Sequence, residues 1–90
     1  MIRMEAFIVG EVQNVRYRVF AQDSATELDL VGSVENLPDG SVKVIAEGAP
    51  DVLKEFVEYL NEGSLQAKVA SVSIDWGTAS GTFDEFSVLQ

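Results

Sequence analysis

Ninety residues, 47% of them hydrophobic, are enough for one small domain, residues 1–90, around a single two-layer core and leave no room for a second. The absence of Cys and His excludes disulfides, thiolate nucleophiles, zinc sites of the usual kind and imidazole acid–base chemistry together. Six basic residues against fifteen acidic ones give a net charge of -9, which disfavours a sequence-independent hold on nucleic acid or on an anionic membrane.

No apolar run approaches the roughly 18 residues needed to span a bilayer, and the first residues lack the basic, apolar and small regions of a signal peptide. A cytoplasmic protein is the expectation, and a monomer, because no long apolar stripe is left once a core is assigned.

Residues 3–9 mix β-branched and aromatic side chains and stop at Gly10, which predicts a first strand. From Tyr17 the period becomes helical: Tyr17, Ala21, Ala25 and Leu28 recur at steps of four, four and three. Leu30 and Val31 lead through Gly32 into a second strand, Ser33 to Asn36. Leu37-Pro38-Asp39-Gly40 is turn chemistry, with Pro presetting φ, Asp bonding locally and Gly free to take positive φ. A third strand, Ser41 to Glu47, alternates Val42, Val44 and Ala46 with Ser41, Lys43 and Ile45, and closes the hairpin.

Pro50 then stands where a first helical turn tolerates it, Asp51 suits the positive helix end, and Val52, Leu53, Phe56, Val57 and Leu60 form one apolar stripe before Gly63. Residues 67–76 read as a fourth strand and Phe83 to Leu89 as a last one, with Gly77 to Gly81 as the loop between them. Phe56, Trp76 and Phe86 read as core or sheet residues. The order β-α-β-β-α-β predicts an α+β, ferredoxin-like sandwich: an antiparallel sheet of four to five strands with two helices on one face. That architecture hosts enzymes, metabolite sensors and RNA binders, so function has to be argued from a site.

The stretch Gly-Glu-Val-Gln-Asn-Val-Arg-Tyr-Arg, Gly10 to Arg18, runs from a strand end into a helix start and finishes on a fixed positive charge. Backbone N–H groups in such a turn converge on one point, the helix start adds partial positive charge, and a guanidinium closes the ring round an anion. Arg16 and Arg18 are the only basic residues between Met4 and Val42, a positive island in an acidic chain. A small anionic ligand is one reading; two arginines paired with surface carboxylates such as Glu11 or Asp23 is the other.

Over nearly its whole length the chain resembles the acylphosphatase family. The family's first signature, Gly-x-Val-Gln-Gly-Val-x-Phe/Tyr-Arg, is matched by Gly10, Val12, Gln13, Val15, Tyr17 and Arg18, with Asn14 the exception. The second, a Gly-Trp-Val-x-Asn segment before an Asp-Gly hairpin turn, is met by Gly32, Val34, Asn36, Asp39 and Gly40, with Ser33 in place of the aromatic residue. The resemblance implies hydrolysis of the carboxyl–phosphate bond of small acyl phosphates, a chemistry to which no metal or cofactor belongs. It implies that Arg18 binds the phosphoryl group, that Asn36 positions the attacking water, and that the backbone N–H groups of Gln13, Asn14, Val15, Arg16 and Tyr17 hold the remaining phosphoryl oxygens.

Each residue also has a plain reading: a salt bridge at a helix start for Arg18, a turn-forming residue for Asn36, a core anchor for Tyr17 and a loop-shaping or rim residue for Gln13. The departures bear on rate. Asn14 stands where the family carries Gly, and Asn tolerates positive φ better than other side chains. Leu37 follows Asn36 where relatives carry a hydroxyl residue, and Glu11 and Glu35 add negative charge. Weak rather than absent activity is the expectation. The rival is a non-catalytic ferredoxin-like module that binds an anion or a protein and has lost efficient turnover. RNA binding needs exposed aromatics over a basic face, which this composition opposes.

Overall fold

The structure, a computed structural model, describes residues 1–13, 16–64 and 67–89. Its elements follow the expected order: β1 (Ile2–Glu11), α1 (Tyr17–Glu27), β2 (Val31–Asn36), β3 (Val42–Gly48), α2 (Pro50–Glu62), β4 (Lys68–Thr78) and β5 (Phe86–Val88). The strands form one sheet in the order β4-β1-β3-β2-β5. β1 pairs antiparallel with β3 and β4, and β2 antiparallel with β3. The antiparallel expectation holds for those four strands. The fifth differs: β5 lies parallel to β2, making the sheet mixed.

That last strand is also shorter than the run from Phe83 predicts. The backbone N–H groups of Ser80 and Gly81 are taken by the Glu47 carboxylate, and pairing with β2 begins only where Gly32 N–H donates to the Glu85 carbonyl.

Alternation along the strands sets the two faces. Met4, Ala6 and Ile8 of β1, Val34 of β2 and Val42, Val44 and Ala46 of β3 are fully buried under the helices. The α2 stripe supplies Leu53, Phe56 and Leu60, whereas α1 meets the sheet with Tyr17, Ala21, Ser24 and Ala25, the last three small enough to let the helix sit close over β2 and β5. Phe56 and Phe86 pack edge to face, centroids 5.9 Å apart. Trp76 is one of the sheet residues expected, in the edge strand β4, where it is 48% exposed with no further strand beside it. The opposite face carries ion pairs, with Glu5 3.5 Å from Arg3 and 3.6 Å from Lys43.

Two glycines are required by contact rather than by turn chemistry. At Gly10 (φ 142°) the β1–β4 register shifts, and a Cβ would collide with the Lys68 carbonyl; at Gly32 (φ 148°) it would collide with the Ile45 carbonyl. No helix among the described residues is long and apolar enough to cross a membrane.

Candidate active site

The end of the sheet where β1 and β2 stop is also where α1 begins. Asn36, the last residue of β2, lies opposite Val42 in register, two residues beyond Val34. The period of two therefore puts its side chain on the helix-covered face at that end. Its Oδ1 is buried and accepts no hydrogen bond among the described residues. A buried acceptor left without a donor costs on the order of 1–3 kcal/mol, so it marks a place where something else donates.

Arg18 sits in the first turn of α1. Its Nη1 donates a 2.8 Å hydrogen bond to the carbonyl of Leu89 just past β5, and Leu89 N–H in turn donates to the Val34 carbonyl at 2.8 Å. The guanidinium is thus held against the strand that carries Asn36. Arg18, Arg16 and Tyr17, with Val12, Val19 and Val88, line a cavity of about 330 Å³.

Neither Arg16 nor Arg18 pairs with a carboxylate among the described residues, so the salt-bridge reading of the two arginines is not what the structure shows. Glu11 instead lies 3.7 Å from Lys68, both well exposed. Glu35 is opposite Lys43 in register, one residue away from Asn36 and hence on the other face of the sheet. The two acidic neighbours expected to oppose an anion are directed elsewhere.

Gln13 shapes the loop by a side-chain strap. Its Nε2 donates to the carbonyls of Leu37 at 2.8 Å and Ser41 at 2.9 Å, the two ends of the hairpin turn that follows Asn36. Leu37 N–H donates to the Ser41 carbonyl, and Asp39 Oδ1 accepts from both the N–H and the hydroxyl of Ser41. Those two Ser41 bonds hold the Asp39 carboxyl below its ordinary value. With this bonding the turn stays closed although Leu37 brings no hydroxyl.

Tyr17 is 1% exposed, and its hydroxyl donates to the Leu60 carbonyl in the last turn of α2 at 2.7 Å. It is the core anchor expected under the loop, and burial pushes its phenol well above the usual range. The positive φ expected at Asn14 falls, with the loop amides of Asn14 and Val15, outside the described residues. A left-handed residue is found at Arg16 (φ 63°, ψ 20°), which precedes the helix without any side-chain cap. Nothing in the sequence marks it, since Arg has no special tolerance for that conformation.

The family model described as Acylphosphatase matches residues 4–88. An acylphosphatase of Thermus thermophilus is 47% identical over 81 residues, covering 90% of this chain and 92% of its own. The crystal structure of acylphosphatase from Bacillus subtilis superposes with a TM-score of 0.96 at 33% identity over 100% of both chains. The solved structure of an acylphosphatase from Coxiella burnetii gives a TM-score of 0.89 at 32% identity, covering 97% of this chain and 90% of the other.

Proposed function

The chain belongs to the acylphosphatase family, and from that premise we propose how its own residues carry out the hydrolysis of small acyl phosphates to a carboxylate and inorganic phosphate. The phosphoryl group enters the cavity lined by Arg18, whose planar guanidinium stays charged at any working pH and takes two phosphoryl oxygens. Backbone N–H groups of Gln13, Asn14, Val15, Arg16 and Tyr17 take the remaining phosphoryl oxygens. Asn36 Oδ1 accepts an O–H of the attacking water and aims its oxygen lone pair at phosphorus.

As the water oxygen bonds to phosphorus, the bond from phosphorus to the carboxyl oxygen breaks and its electron pair leaves with the carboxylate. The water's proton passes to a phosphoryl oxygen. A carboxylate is a weakly basic leaving group, so no general acid is needed, and a loose phosphoryl transition state asks mainly for positioning and charge stabilisation. A chain without His can supply both. The reading extends to a monomeric, cytoplasmic single domain, residues 1–90, acting on a small molecule, and the charge of -9 argues against nucleic acid as its partner.

The observation that carries this reading is the buried Asn36 Oδ1, without a donor among the described residues, at the sheet end where Arg18 has no carboxylate partner among the described residues. Phosphate release from benzoyl phosphate tests it. Arg18→Ala should lower kcat/KM by about 10³-fold or more with the fold intact. Asn36→Ala should lower kcat by about 10²-fold while inhibition by inorganic phosphate hardly changes. Unchanged rates in both variants would reject the assignment, and a wild-type chain that binds phosphate without turnover would favour the non-catalytic module.

A further inference from the structure

The sheet has two edges, and the chain treats them differently. β5 is three residues long, and side chains of α1 donate to carbonyls at its start and just past its end: Gln22 Nε2 to Phe86 at 3.2 Å and Arg18 Nη1 to Leu89 at 2.8 Å. β4, at the other edge, is 11 residues long, and no side chain bonds its backbone among the described residues. From Val69 to Thr78 it contains no Pro and one charged residue, Asp75. Sheets usually blunt an edge with short strands, Pro, Lys or bulges, because its unpaired N–H and C=O groups are a template for another strand. The one irregularity of the β1–β4 register falls between Val9 and Gly10, so Ser71 to Thr78 form an unbroken ladder opposite Ile2 to Val9.

Alternation gives the two faces of that ladder different chemistry. Val72, Ile74 and Trp76 lie opposite Ile8, Ala6 and Met4, hence on the helix-covered face, with Val72 and Ile74 half-buried and Trp76 more open. Ser73 and Asp75 lie opposite Phe7 and Glu5 on the other face. Glu5 and Asp75 are thus like charges directly across the pair, which destabilises a sheet. Glu5 is answered by Arg3 at 3.5 Å and Lys43 at 3.6 Å. Asp75 has no ion pair among the described residues, and the open side next to it is where a longer sheet would place its next strand.

We propose that β4 is a docking edge for an extended segment of another protein whose side chains alternate between apolar and basic. The segment pairs with Ser71 to Thr78, where main-chain bonds give the hold and alternate side chains give the choice. Its apolar side chains lie beside Val72, Ile74 and Trp76, and a Lys or Arg on the opposite face neutralises Asp75. The net charge of -9 steers a basic segment toward the chain. This edge is separate from the cavity at the start of α1, and the proposal stands without the acylphosphatase reading.

The test titrates the chain with an acetylated, amidated heptapeptide that alternates lysine and valine, read by the emission of Trp76, the one tryptophan present, and by amide exchange. A saturable blue shift with slowed exchange in Ser71 to Thr78 is expected. A peptide of the same composition in block order lacks the two-faced pattern, and one N-methylated at alternate residues lacks the ladder donors; each should bind about tenfold more weakly or worse. Asp75→Lys should weaken binding of the alternating peptide about tenfold, whereas Glu27→Lys, the same charge change on α1 over β2 and β5, should cost about twofold. The urea midpoint of Asp75→Lys should not fall, because the change removes a like-charge pair, and the three-peptide comparison on the wild type decides the proposal whatever the variant's stability. No binding at millimolar peptide, equal binding of the three peptides, or equal losses in the two variants overturns the proposal. A wild-type chain that dimerises through β4 in light scattering and exchange overturns it too, by giving the edge to a second copy.

Discussion

Arg18 Nη1 lies 2.8 Å from the carbonyl oxygen of Leu89, joining residues 71 positions apart across the β2–β5 edge. The partner is a main-chain carbonyl, so this bond orients the guanidinium without itself adding a carboxylate to it. Removing residues 89 and 90 should therefore lower kcat/KM for benzoyl phosphate, by up to about 10²-fold if the guanidinium shifts by an ångström. Leu89→Ala keeps the carbonyl and removes only a half-exposed side chain, and should cost little. Equal losses in the two variants would mean that the side chain, not the carbonyl, holds Arg18.

The Gln13 side chain bonds both ends of the hairpin turn that follows Asn36, which predicts a positioning effect for that side chain. Gln13→Ala removes one donor from each of two carbonyls that keep another, Leu37 from Gly40 N–H and Ser41 from Leu37 N–H, so the stability loss should be near ~1 kcal/mol. Gln13→Glu should be worse, because a carboxylate would face the same two carbonyl oxygens with no proton to offer. If Asn36 is aimed through this strap, kcat should fall in both variants, more in Glu than in Ala, with phosphate inhibition largely retained. A drop in phosphate affinity without a change in kcat would assign Gln13 to the phosphoryl loop alone.

Tyr17 joins the start of α1 to the end of α2 through the Leu60 carbonyl, one of the four that a helix end leaves unbonded. Tyr17→Phe should destabilise the fold by about 1–2 kcal/mol, read as a lower urea midpoint at unchanged slope. The phenol is held above its ordinary value of 10.0, so its contribution is complete below that pH and declines as pH rises through the raised folded value. The variant should lack that alkaline decline. An unchanged midpoint would mean that the Leu60 carbonyl gains nothing from the phenol.

What the chain reveals before folding is what local pattern encodes. The α2 stripe and the alternation of Val42, Val44 and Ala46 announce their buried faces because one period governs them, and Arg18 and Asn36 stand out because two motifs fix their spacing. Three features escape such reading, each for a long-range reason. The parallel pairing of β5 depends on the free edge of β2, far earlier in the chain. That Trp76, expected as core or sheet, is a half-exposed sheet residue depends on β4 lying at the sheet's edge. The left-handed conformation of Arg16 comes just before α1, and no property of arginine announces it.

Glu47 is the one buried carboxylate among the described residues, and it holds the loop between β4 and β5. Burial alone would push its carboxyl up. The opposing groups prevail and set it below its ordinary value: the N–H and hydroxyl of Ser80 on Oε2, each at 2.8 Å, the Gly81 N–H on Oε1 at 3.0 Å, and the Arg3 charge. A carboxyl lowered by folding stabilises the fold above its unfolded value of 4.5, and that stabilisation is lost as pH falls through the folded value. Glu47→Gln leaves one of the loop donors facing an amide N–H₂, so it should cost about 1–3 kcal/mol at neutral pH. The wild-type and variant stabilities, followed by urea unfolding from neutral to acid pH, should converge below the carboxylate range because only the wild type loses this contribution there. Parallel curves would show that the loop is held without the ionised carboxylate.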